Sequence, residues 1–245
     1  MKDDHPAFLT ERTDRVARYP EDGALMATAD TFIKESLRAE YSYNFDWLGL
    51  PIIQYPQDLL ALQEIIWSTR PDLIVETGVA RGGSLVFYAS MLELLGGDGR
   101  VIGIDVDLRE HNRQRIVAHP MARRVDLVDG SSISPETVST VFKLAEGRQR
   151  ILVVLDSNHT HDHVLAELEA YTPLVGPGGY CVAFDTIIEM MPQGHYKDRP
   201  WDKGNNAATA VDAFLRDHPG WTQDMAISNK LLVSAAPGGY LKRIC

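Results

Sequence analysis

Asp156 and Asp185 each follow an apolar run, residues 151–155 and 180–184. If the two runs are neighbouring parallel strands, both carboxylates reach the same sheet edge. Two hard oxygen ligands there suit Mg²⁺, which keeps several waters and needs no full protein cage. Thr186, Glu189 and Asn158 lie close enough in sequence to supply a third ligand. Helix capping by the two aspartates is the competing explanation. His159, His161 and His163 alternate just beyond Asp156. Imidazole titrates near neutral pH, so His159 or His161 beside a bound hydroxyl would serve as a general base. Three histidines also raise zinc, but catalytic zinc takes its ligands from a rigid frame, and a helix N-terminal contact is the plainer alternative.

A second group lies upstream. Leu73-Ile74-Val75-Glu76-Thr77 leads into Gly78, then Arg81-Gly82-Gly83-Ser84 and an apolar run over residues 85–95. The pattern predicts a buried strand, a tight turn and a helix whose first N–H groups face a ligand. Gly78 allows close approach, Gly82 and Gly83 open the helix, and Ser84 is expected to cap it. Glu76 is poorly placed to meet a pyrophosphate but suits hydroxyls or an ammonium, which favours S-adenosylmethionine over NAD. Asp105 ends an apolar strand over 101–105, about 20 residues past the turn, where a doubly wound fold places a carboxylate for a ribose diol. Asp129 and Ser131, at the end of the next strand, face an adenine edge in this scheme. A purely structural strand, turn and helix stays open on the glycines alone.

These residues need a sheet to bring them together. The alternation of apolar strands and helical segments over residues 58–218 predicts an α/β protein with a mostly parallel sheet. Five acids, Glu76, Asp105, Asp129, Asp156 and Asp185, then end strands on one rim, where such folds bind ligands. Residues 1–55 read as a charged arm (1–22), a helix (24–40) and an aromatic connector (41–51), with the main domain over 56–245. Helices are expected over 58–68, 109–119, 137–145, 164–174 and 207–218. The polar loop 189–206 suits a lid or substrate loop. Residues 221–225, 231–234 and 240–243 suggest an antiparallel strand pair around Pro237-Gly238-Gly239.

The 245 residues carry a formal charge of −10, which argues against nucleic acid as a partner. Arg109, Arg113, Arg115, Arg123 and Arg124 are interspersed with acids and read as a solvated helix face. With two cysteines, Cys181 and Cys245, a disulfide framework is not expected. Residues 1–11 lack the apolar core of a signal peptide, and no run reaches membrane-spanning length. The expectation is a cytoplasmic protein with no membrane contact.

Taken together, the stretches resemble the cephalosporin hydroxylase/rhamnosyl O-methyltransferase family over residues 41–243. The matching residues include Trp47-Leu48-Gly49-Leu50-Pro51-Ile52 with Gln54 and Asp58, Gln63-Glu64-Ile65-Ile66-Trp67, Glu76-Thr77-Gly78 with Arg81-Gly82-Gly83-Ser84, and Gly103-Ile104-Asp105. Leu155-Asp156-Ser157 with His159 and His163-Val164, Pro177-Gly178-Gly179-Tyr180, and Pro237-Gly238-Gly239-Tyr240-Leu241 complete the match. The resemblance implies a Rossmann-like class I methyltransferase fold, S-adenosylmethionine as methyl donor, Mg²⁺ and a homo-oligomer. Carried over, Glu76, Gly78, Gly82, Ser84, Asp105 and Asp156 contact the cofactor, with Asp129 and Ser131 near its adenine. Asp156 and Asp185 hold the metal as in catechol-type O-methyltransferases, where asparagine follows the second acid. Thr186 stands there in this chain. The implied reaction is O-methylation of a small natural-product or sugar hydroxyl. A nucleotide-dependent oxidoreductase or hydroxylase component and a non-catalytic binding protein are the alternatives. Glu76 and the absence of a full G-x-G-x-x-G weigh against NAD.

Overall fold

The computed structural model describes residues 4–245. Its first element is a helix, α1 (His5–Arg18), where a charged arm is expected from the sequence. Pro6 in the first turn favours a helix start, and Thr10 and Thr13 satisfy their hydroxyls on the carbonyls of Pro6 and Leu9. No residue of α1 is buried, and its polar, charged composition is what reads as an arm in the sequence. Residues 1–3 of the expected arm lie outside the described residues. The second helix, α2 (Gly23–Arg38), starts at Asp22, whose side chain accepts the Leu25 N–H, and buries Ala29, Ile33 and Ser36 along one stripe.

The aromatic connector closes into a hairpin of β1 (Phe45–Trp47) and β2 (Leu50–Ile52), with Trp47 opposite Leu50. Leu48 and Gly49 both take positive φ in its two-residue turn. Leucine is not a residue that advertises such a turn, which is why the segment reads as a loop. Next come α3 (Pro56–Thr69), β3 (Leu73–Thr77), α4 (Gly83–Leu95), β4 (Arg100–Asp105), α5 (Glu110–Ala118) and β5 (Val125–Asp129). The chain continues through α6 (Pro135–Leu144), β6 (Ile151–Leu155), α7 (His161–Tyr171), β7 (Tyr180–Ala183), α8 (Ala207–Asp217), β8 (Trp221–Gln223), α9 (Met225–Leu231) and β9 (Tyr240–Arg243).

Seven strands form one sheet in the order β5-β4-β3-β6-β7-β9-β8. The strands from β3 to β7 run parallel, and β9 lies antiparallel between β7 and β8. The expected antiparallel close is present, but residues 231–234 are not part of it. Leu231 ends α9 and 232–234 follow it, where Ser234 Oγ and the Ala235 N–H bind the buried Asp58 carboxylate at 2.6 and 2.8 Å instead of a strand neighbour. Successive strand residues serve opposite faces. Ile74, Leu152, Val154 and Val182 pack towards α3 and α4, whereas Val75, Ile104, Val153 and Leu155 pack towards α7 and α8. Every residue of β3 and β6 is buried, as suits central parallel strands covered on both sides. Strand order reverses between β3 and β6, so a crevice opens at their carboxyl ends.

Candidate active site

A cavity of about 500 Å³ occupies that crevice. Its floor is the turn after β3, its acidic wall is formed by the ends of β6 and β7, and its mouth is framed by the hairpin region and the loop before α8. Gly78 takes φ +86 and donates its N–H to the Ile104 carbonyl at 2.8 Å. At Gly83 a Cβ would stand 2.3 Å from the carbonyl oxygen of Pro51, so only glycine lets α4 start against β2. Ser84 does not cap α4; the cap position belongs to Gly82. Its hydroxyl donates instead to Glu76 at 2.6 Å.

The five strand-end acids share the rim but not the cavity. Glu76 is fully enclosed beneath the turn, and burial pushes its carboxyl up to about 8 against the lowering effect of hydrogen bonds from Ser84 and Tyr88. Asp105 braces the turn, accepting the N–H groups of Val79 at 2.9 Å and Ala80 at 3.1 Å, while its other oxygen takes that of Asp107. Asp129 is exposed and paired with Arg113, beside a separate acidic depression. Ser131 accepts the Ser134 N–H at its carbonyl. Of the expected cofactor residues, Gly78, Gly82, Ser84 and Asp156 line the main cavity, joined by Val79, Ala80, Arg81 and Gly83. Glu76, Asp105, Asp129 and Ser131 do not. Among the arginines read as a solvated helix face, Arg113 pairs with Asp129, and Arg123 and Arg124 pair with Glu93.

Asp156 and Asp185 do meet. One ligand atom from each, with one from His159, lies within a 4.8 Å cluster. His159 Nε2 stands 2.8 Å from Asp185 Oδ2. Burial disfavours the imidazolium, but the carboxylates of Asp185 and Asp156 outweigh it and raise His159 to about 9. Asp185 is correspondingly low: burial opposes its charge, and His159 more than compensates. Asp156 is raised to about 7 by burial and by the charge of Asp185.

Thr186 is not part of this cluster. Asp185 adopts φ +58, which sends the chain into the 3₁₀ turn Thr186–Met190 and buries the Thr186 hydroxyl on the Pro237 carbonyl at 2.9 Å. The other candidate third ligands are also engaged elsewhere. Asn158 Oδ1 accepts Thr160, and Glu189 holds Gly204 and Asn206. The missed partner is Gln54, which donates Nε2 to Asp156 Oδ2 at 2.9 Å while its Oε1 is buried without a hydrogen-bond partner. Its only sequence signal was its place beside the Trp47–Ile52 motif.

The three histidines separate. His159 faces the cavity, and its ring meets Trp201 edge-on at 4.6 Å. His161, a candidate base by sequence, opens α7, where its Nδ1 lies 2.8 Å from Thr209 Oγ1 and its N–H binds Asn205 Oδ1. It fastens α7 to α8. His163 belongs to a polar cluster behind the cavity. The alternation placed His159 and His163 on one side of an extended segment, but helix α7 begins between them and divides their directions. Tyr43 from the connector and Tyr196, Arg199 and Trp201 from the loop complete the mouth, with the Arg199 guanidinium 5.4 Å from the Trp201 ring. Among the described residues no helix is long and apolar enough to cross a membrane.

The rhamnosyl O-methyltransferase/CmcI family model matches residues 39–244. A rhamnosyl O-methyltransferase of Mycobacterium leprae is 27% identical over 221 residues, covering 86% of this chain and 90% of its own. One of Mycobacterium bovis is 28% identical over 222 residues, covering 86% and 85%. A solved structure of CmcI with Mg and S-adenosylmethionine shares 22% identity and a TM-score of 0.59, over 83% of this chain and 78% of that one. That likeness supports the class I methyltransferase architecture seen in the sheet. With the family model spanning all but the first helices, the chain belongs to the rhamnosyl O-methyltransferase/CmcI family.

Proposed function

We propose that this chain transfers the methyl group of S-adenosylmethionine to a hydroxyl of a small natural-product or sugar acceptor, with Mg²⁺ at the site. One observation carries the reading: the glycine turn and the pair Asp156 and Asp185 open into a single cavity. A methyl donor on the turn would thereby face a hydroxyl beside the carboxylates. The names of the mycobacterial relatives and of the CmcI structure with Mg and S-adenosylmethionine support the same activity and cofactors.

The donors fit a hard cation. Two carboxylates offer the oxygen ligands that Mg²⁺ prefers, and Gln54, whose Nε2 binds Asp156, carries a buried Oε1 without a partner among the described residues, whereas imidazole is a softer ligand. Asp156 and Asp185 would therefore hold it, and Mg²⁺ so held would lower the pKa of the acceptor hydroxyl as a Lewis acid. His159 keeps its proton because Asp185 and Asp156 face it. With a cation held by those carboxylates, the pKa of His159 would fall back towards that of free imidazole, and its Nε2 would be the base that takes the acceptor's proton. Gly78, Gly82, Gly83, Arg81 and Ser84 shape the donor end of the cavity. Tyr43, Tyr196 and Trp201 wall the acceptor end and exclude water. Holding the two reactants in line is worth about 7–11 kcal/mol in such systems.

A homo-oligomer follows from the resemblance, and light scattering tests it. A cytoplasmic setting is supported by two free cysteines, one of them buried. The first 55 residues act as an accessory segment that supplies Tyr43 to the cavity mouth and Gln54 to its acidic wall.

The test is calorimetric titration with S-adenosylmethionine, S-adenosylhomocysteine and NAD, each with and without Mg²⁺. Selective binding of the first two supports the proposal. Binding of NAD alone, or of none, overturns it.

A further inference from the structure

Behind the acidic wall lies a buried carboxylate that does not line the cavity. Glu167, on α7, is 0% exposed. Its Oε1 accepts the hydroxyls of Ser157, at 2.6 Å, and Ser132. His163 Nε2 stands against the same group, 3.0 Å from Ser132 Oγ, 3.2 Å from Ser157 Oγ and 3.4 Å from Glu167 Oε1. Tyr171, one turn further along α7, donates its hydroxyl to the Ser132 carbonyl at 2.6 Å. Glu167 Oε2 has no hydrogen-bond partner among the described residues.

A buried carboxylate with an unpartnered oxygen costs stability, and an apolar residue of similar size would fill the space at lower cost. Packing therefore does not explain it. Its position does. Ser157 is the residue directly after Asp156 and lines the cavity beside it, and the loop it begins carries His159 two residues on. The loop from Asp156 to Thr160 lies outside regular secondary structure, so ladder hydrogen bonds do not fix its conformation. The anchors on its near end are the Asp156 N–H on the Thr77 carbonyl, Gln54 Nε2 on the Asp156 carboxylate and the Ser157 hydroxyl on Glu167.

We infer that Glu167 is a positioning residue: through Ser157, with Ser132 and His163 completing the network, it holds the loop so that Asp156 and His159 point into the cavity together. The inference rests on the proposed metal role of Asp156. Groups that orient first-contact ligands in this way typically change metal affinity by about 10- to 100-fold when removed.

The experiment measures Mn²⁺ binding, by electron paramagnetic resonance, and S-adenosylhomocysteine binding, by calorimetry, on the full-length parent chain and three variants. Glu167→Leu fills the space but cannot accept the serine hydroxyls. Glu167→Gln keeps an acceptor oxygen. Ser157→Ala removes the link from the loop side and leaves Glu167 and its helix in place, so it carries the test if Glu167→Leu does not fold. The expected result is at least about tenfold weaker Mn²⁺ binding in Glu167→Leu and Ser157→Ala, recovery to within about threefold in Glu167→Gln, and unchanged S-adenosylhomocysteine affinity throughout. Parental Mn²⁺ affinity in Ser157→Ala or in folded Glu167→Leu overturns the inference and leaves the metal site standing. Failure of the parent chain to bind Mn²⁺ overturns the metal site and this inference with it.

Discussion

A Cβ added to Gly78 would stand 1.9 Å from the carbonyl oxygen of Asp156. The turn that shapes the donor end of the cavity and the strand end that carries the acidic pair are thus in backbone contact, with no side chain between them. Asp156 also donates its N–H to the Thr77 carbonyl at 3.0 Å, so the two ends are joined on both sides of the contact. This is the switch point of the sheet, and the distance between donor and acidic sites is built into its backbone.

Gly78→Ala should damage both ends at once. The residue is held at φ +86, and the added carbon forces β3 and β6 apart. A left-handed backbone imposed on alanine costs about 1–3 kcal/mol before the clash is counted. At about 2–4 °C per kcal/mol for a chain of this size, a thermal melt should fall by several degrees. S-adenosylhomocysteine and Mn²⁺ binding should weaken together in calorimetry. Loss of one alone would contradict the shared backbone contact.

His159 and His161 should part company on substitution. His159→Ala is expected to lower kcat by about 10²–10⁴, the usual worth of a positioned base, while Mn²⁺ still binds. His161→Ala should leave kcat near parental and cost about 0.5–1.5 kcal/mol of stability through the lost contact with Thr209. Steady-state kinetics beside denaturant melts separates the two. If His159→Ala loses Mn²⁺ as well, His159 is a metal ligand and not the base.

Asp185→Asn and Thr186→Ala make a second contrasting pair. The first removes a charge from the cluster and should weaken Mn²⁺ by at least about tenfold. The second breaks only a hydrogen bond to the Pro237 carbonyl, so its effect belongs to stability, at about 1 kcal/mol, with Mn²⁺ affinity kept. Metal titration of both variants checks this, and equal loss would return Thr186 to the ligand set.

Glu76 should impose a pH dependence on folding. Burial raises its carboxyl to about 8, far above the ordinary carboxylate value, so the folded chain holds a proton that the unfolded chain releases. The stability it contributes is fully present below the unfolded carboxylate pKa and is lost as pH rises through about 8. Melting temperatures between pH 5 and 9 should therefore fall less steeply for Glu76→Gln than for the parent. Parallel curves would show that Glu76 is not held protonated.

Much of the architecture is written in local sequence. The unbroken apolar run of β6 and the Leu73-Ile74-Val75 start of β3 cannot be buried except between two layers of helices, and alternation with helical segments forces a parallel sheet. Glycines at 78, 82 and 83 mark the turn because no other residue tolerates its backbone and close contacts. The meeting of Asp156 and Asp185 follows from their places at the ends of adjacent parallel strands. Tertiary structure alone decided which of five similar rim acids face the cavity. Glu76 went under the turn, Asp105 onto its N–H groups and Asp129 out to Arg113, because each satisfied the nearest strong partner. It also decided the roles of three alternating histidines, since the start of α7 between His159 and His163 is a matter of where the helix docks. Gln54 reaches Asp156 across 102 residues of chain, and no periodicity or spacing encodes a contact between positions so far apart.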